Sequence, residues 1–112
     1  MKNALPLPEE RKLTVIYRVE PGCLGPEGAS HIIKFCIFAQ AALQTLDSNY
    51  ITWNIISRED KTLPEMEYNV VGKKMSHNQA EKYLAIFGKS LDEFEGRLSD
   101  QLTLLIDKFM GY

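Results

Sequence analysis

The strongest constraint on this chain is a change of hydrophobic period across one short corner. "KLTVIYRVE" (residues 12–20) alternates, with Leu13, Val15, Tyr17 and Val19 on one face and Lys12, Thr14, Ile16 and Arg18 on the other. That is the period of a strand with one buried face. Pro21 ends it, because proline cannot donate to a ladder. After "PGCLGPEGASH" comes "SHIIKFCIFAQAALQTLD", where Ile32, Phe35, Cys36, Ala39, Ala42, Leu43 and Leu46 recur at helical spacing. Ser30 is the expected N-cap. A half-buried strand feeding an amphipathic helix calls for a layer of sheet packed against a layer of helix.

The rest of the chain extends that plan. "NYITWNIISRE" has strand composition, with Ile51, Trp53 and Ile55 facing one way and Tyr50, Thr52, Asn54 and Ile56 the other. "MEYNVVGKKM" alternates as well, setting Met66, Tyr68 and Val70 against Glu67, Asn69, Val71 and Lys73. The polar "DKTLPE" between them suggests an antiparallel hairpin. Two helices follow. "SHNQAEKYLAIFG" opens on a Ser76–Gln79 capping box and stops at Gly88, and "SLDEFEGRLSDQLTLLIDKFMGY" carries a Leu91, Phe94, Leu98, Leu102, Leu105, Phe109 stripe. The expected fold is α+β, a small, mainly antiparallel three-stranded sheet with helices on one face, in the order β-α-β-β-α-α. Residues 1–10, with Pro6 and Pro8, read as a flexible lead-in to a single domain over residues 11–112. Two faces carry queries. Ile33 and Ile37 fall off the main stripe of the first helix and are expected to lie under the C-terminal helical pair. Gly96, inside the last helix, is expected to mark a close approach or a bend.

Composition narrows the function classes. The 112 residues carry a net charge of −2 with acids and bases interleaved, unlike the clustered positive surface that nucleic acid requires. No apolar run approaches the ~18 residues of a membrane span. Nothing reads as a targeting segment, and two cysteines are too few for a disulfide scaffold. The expected compartment is therefore the reducing cytoplasm.

The glycine-rich corner has the general layout of an anion site but the wrong spacing. Gly22 to Gly28 is one residue too long for a P-loop, Ala29 stands where lysine is needed, and Glu27 would repel a phosphate. The glycines and prolines instead suit a rigid turn. Cys23 lies near a helix start, where a thiol can be activated, and His31 on the same connection is its candidate base. Metal chemistry is not expected: His31 and His77 stand 46 positions apart, and no zinc or calcium spacing occurs. No cofactor motif is present. Asp92 and Glu93 suit a helix first turn.

With helices over one sheet face, the other would present Ile16, Arg18, Tyr50, Thr52, Asn54, Ile56, Asn69 and Val71. A half-apolar, half-polar surface of this kind suits a ligand or a two-fold partner. The expectation is a non-enzymatic binding or regulatory module, a homodimer recognising a small molecule or a protein partner. The alternative is a thiol-dependent enzyme or redox-sensitive protein acting through Cys23 with His31.

Overall fold

The computed structural model describes residues 7–111. Four strands and three main helices follow one another: β1 (Leu13–Val19), α1 (Gly28–Leu43), β2 (Ile51–Ser57), β3 (Met66–Val70), β4 (Lys73–Met75), α2 (His77–Ala85) and α3 (Leu91–Met110). Short 3₁₀ turns occupy Glu9–Arg11 and Pro21–Leu24. The α+β class and the one-sided helical layer are as the hydrophobic pattern implies.

The sheet order is β2-β1-β3-β4. The chain's first strand sits inside the sheet, so the expected hairpin of residues 50–57 with 66–73 does not form. β1 pairs in parallel with β2, from Leu13 opposite Ile51 to Val19 opposite Ser57, and antiparallel with β3, where Val15 lies opposite Tyr68. The reason is the crossover. A strand, a covering helix and a second strand return the chain parallel to its start, and residues 58–65 then carry it past the end of β1. A tight hairpin does exist one strand later. Val71 and Gly72 both have positive φ, 53° and 75°, the backbone of a two-residue type I′ turn. Val71 is therefore a turn residue at the sheet's far edge, not part of a strand face.

The core lies between the sheet's inner face and the helices. Leu13, Val15, Val19, Ile51, Trp53, Ile55 and Tyr68 meet Ile32, Phe35, Cys36, Ala39 and Leu43 of α1 and Leu91, Phe94, Leu98, Leu102 and Leu105 of α3. Trp53 stacks on Phe94 at 5.6 Å, and its indole N–H donates to the Leu46 carbonyl at 2.8 Å. That bond satisfies the one polar atom a buried tryptophan carries. Phe109 of α3 closes the end of the core edge-on to Phe35 at 5.4 Å.

Helix ends follow local chemistry with one exception. Ser76 makes the reciprocal capping box with Gln79, and Ser90 accepts from the Glu93 N–H. Ser30 is not the cap of α1. The helix starts at Gly28 after Glu27, and the Ser30 hydroxyl donates to the Glu27 carbonyl at 2.7 Å. Of the expected lead-in, residues 1–6 lie outside the described residues, while Leu7 is docked, its N–H donating to the Asn49 carbonyl at 2.8 Å.

Candidate functional site

Two concavities flank the sheet–helix sandwich. The larger, about 840 Å³, runs between α1 and the open edge of β2 and is lined by Ile33, Ile37, Gln40, Ala41, Asn54, Ile56 and Glu59 among others. It exists because α1 buries one stripe and leaves another free. Ile33 and Ile37 are 61% and 67% exposed, so the C-terminal helices do not cover them. α3 meets α1 elsewhere, through Phe109 against Phe35, Phe38 and His31. Ile56, on the neighbouring strand, is also exposed.

The floor of this groove is an edge strand, and edge strands offer unpaired backbone groups to other chains. Here a side chain intervenes. The Gln40 carboxamide donates to the Trp53 carbonyl at 2.9 Å and accepts from the Ile55 N–H at 2.9 Å. One amide thus occupies the positions that a peptide unit of another strand would take. The groove's apolar surface is open while the centre of its strand is closed.

The smaller concavity, about 530 Å³, lies between β1, β3 and α3 and is lined by Tyr17, Cys23, Glu65, Glu95, Leu98 and Leu102 among others. Cys23 is exposed at this cleft, held there by the 3₁₀ turn in which its N–H donates to the Glu20 carbonyl. Burial, then the nearby Glu65 and Cys23, push the Tyr17 phenol up to about 12, so it stays protonated and neutral. His31 is not among the cleft's lining residues. Its ring lies edge-on to Phe109 at 6.5 Å. The corner therefore sets Cys23 in a cleft with a tyrosine and carboxylates, while the His31 ring packs on Phe109.

The eight residues expected on the outer sheet face divide five ways. Ile16 is half-buried between Asn54 and Glu67, and Thr52 and Asn69 flank Thr14, giving a mostly polar face. Arg18 faces the same side but is buried. Its guanidinium donates to the Pro64 carbonyl at 2.9 Å and to Glu67 at 3.1 Å, pinning the 58–65 connection across the end of β1. Burial pulls the Glu67 carboxyl upward, but hydrogen bonds from Asn69 and Arg18, with the charges of Arg18 and Lys74, outweigh it and hold the group below the usual range. Tyr50 is in the core, stacked on Phe87 at 4.9 Å. Its hydroxyl is buried, with no hydrogen-bond partner among the described residues, beside the Asp47–Arg97 ion pair; burial, then the Asp47 charge, raise the phenol above its ordinary range. Val71 is in the hairpin turn. Asn54 and Ile56 also line the α1–β2 groove.

The groove is not evident from the sequence. Ile33 and Ile37 signal it by breaking the helical stripe, but spacing alone points to the C-terminal helices as their cover. No protein-family model, curated protein or solved structure matches this chain. Among the described residues, no helix is long and apolar enough to cross a membrane.

Proposed function

We propose that this chain is a non-enzymatic interaction module that pairs with a second copy of itself through the α1–β2 groove. The observation that carries the reading is the exposure of Ile33 and Ile37 beside Ile56 on a surface with almost no charge. Among its described lining residues Glu59 is the sole carboxylate, and no lysine or arginine is present. Such a patch favours an apolar partner, and its own two-fold copy is one. Gln40 directs the contact to the helix face, since the middle of β2 is already bonded.

Magnitudes set the strength. Fully burying an isoleucine side chain is worth ~1.5–3 kcal/mol, so the two-thirds of Ile33 and Ile37 still exposed supply, from both copies, roughly 4–8 kcal/mol. Association costs ~4–15 kcal/mol. The balance describes a dimer that forms with rising concentration rather than an obligate one. Analytical ultracentrifugation across a concentration series tests it. The expected result is a monomer–dimer equilibrium that I33E/I37E shifts to monomer with native circular dichroism. A wild-type chain that stays monomeric at millimolar concentration, or a dimer indifferent to I33E/I37E, rules the reading out.

A second reading keeps Cys23, which is exposed at the mouth of the Tyr17–Glu65 cleft. With the His31 ring engaged on Phe109, the reading favours a site for modification over a nucleophile with its own base.

A further inference from the structure

At the opposite end of the sheet, the hairpin of β3 and β4 runs into the start of α2, and α3 begins nearby. His77 is the first residue of α2, Asp92 the second of α3, and Glu95 follows one turn later. Spaced i, i+3, the two carboxylates share a helix face. One donor atom from each of the three residues lies within 4.8 Å of the other two.

Glu95 is held in place from behind. The buried Tyr68 hydroxyl donates to its Oε2 at 2.6 Å, and burial of Tyr68, with the hydrogen bond and charge of Glu95, raises the phenol far above its ordinary range. A buried donor locking one carboxylate while two exposed neighbours keep their rotamers free is the pattern of an oriented ligand with an outer-shell partner. The competing charges nearby are Glu67 and Lys74, which line the same hollow and act on each other.

We propose that His77, Asp92 and Glu95 form a binding site for one divalent transition-metal ion of the zinc type, tying the start of α2 to the start of α3. The donor set selects the metal. An imidazole suits zinc and its neighbours, whereas calcium takes six to eight oxygens. Two carboxylates with a neutral imidazole carry a charge of −2, which a dication neutralises. Around a tetrahedral ion with bonds of ~2.1 Å, donors stand ~3.4 Å apart. The three atoms therefore close by at most ~1.4 Å, a movement available to the exposed His77 and Asp92 side chains by rotation. Three protein donors leave a fourth position for water. The site is independent of the α1–β2 groove. No sequence motif announces it, because His77 and Asp92 come from different helices and only tertiary packing joins them.

The test is a calorimetric titration of zinc chloride into the metal-free full-length chain, with cobalt(II) as a spectroscopic stand-in. One equivalent binds the wild type. H77A and D92N each weaken binding tenfold or more, and H31A, which removes the other histidine, leaves it unchanged. Y68F weakens it several-fold while the cobalt spectrum keeps its imidazole signature, since Tyr68 positions Glu95 and does not ligate. Both ligand variants sit on exposed side chains and keep the native circular dichroism. The proposal is overturned if the wild type takes up no stoichiometric zinc, if H77A and D92N bind as tightly as wild type, or if H31A abolishes binding.

Discussion

The α-carbon of Gly28 lies against the carbonyl of Pro21, so close that a β-carbon there would stand 1.7 Å from the carbonyl oxygen. This contact lets the strand-to-helix corner fold back on itself, with Gly28 buried at the start of α1. Backbone cannot yield as a flexible side-chain tip can. G28A is expected to lose about 3 kcal/mol, the upper end of ordinary overpacking. The readout is the urea midpoint. G22A, with nothing within 4 Å of its added methyl, serves as the control and stays within about 1 kcal/mol of wild type.

Arg18 and Glu67 form a pair whose side chains are only 10% and 16% exposed. Removing one partner strands the other, so R18M is expected to cost about 3 kcal/mol, and R18M/E67L less than R18M alone. The pair also sets an acid limit. The folded chain holds the Glu67 carboxyl below its ordinary value. Its contribution is therefore fully present above the ordinary glutamate range of about 4.3 and is lost as pH falls through the lowered folded value. Stability measured by urea titration between pH 7 and 3 should fall less steeply in E67Q than in wild type.

Two positions are open to stabilisation. Val71 is β-branched yet sits at φ 53°, a conformation that costs an ordinary residue about 1–2 kcal/mol. V71G is expected to raise stability by about 1 kcal/mol, and V71N similarly. Gly96 is exposed inside α3, with nothing within 4 Å of where an alanine methyl would sit. It marks neither a close approach nor a packing need, and G96A should gain about 1 kcal/mol from helix propensity. The two sites share no partner, so V71G/G96A should show both gains in the urea midpoint with an unchanged slope.

The two thiols should separate cleanly. Cys23 is exposed, while Cys36 is buried on α1 and its thiol is pushed up by that burial. A chromogenic disulfide reagent is expected to label one equivalent at once and the second only on unfolding. C23S removes the fast phase and leaves the slow one. Two equally fast phases would mean that α1 opens locally at Cys36.

The periodic elements are legible in the sequence because each strand and helix buries one face. Leu13, Val15, Trp53, Ile55 and the Leu91-to-Leu105 stripe all point where their spacing says. The strand order is not legible. It depends on which backbone edges the crossover brings together, and side-chain period carries no information about that. Tyr50 departs from the alternation because the strand starts one residue later, and Phe87, just past the end of α2, stacks on its ring. Arg18 alternates like an outward residue and does face outward, yet Pro64 of the connection and Glu67 of β3 enclose its guanidinium. Both departures depend on segments distant in the chain, whose placement is decided by tertiary contacts.

The position of β1 bears on how the chain is made. It leaves the ribosome first, yet Leu13 waits 38 residues for Ile51 and Val15 waits 53 for Tyr68. Both sides of β1, one of the sheet's two inner strands, thus stay unpaired until its partners far along the chain have been made. The backbone hydrogen bonds of α1, by contrast, are local and wait on none of these pairings. Folding limited by these distant pairings belongs on a millisecond-or-slower scale. The nascent β1, apolar on alternate residues, therefore exposes unpaired strand edges until both partners arrive, the kind of surface that favours aggregation.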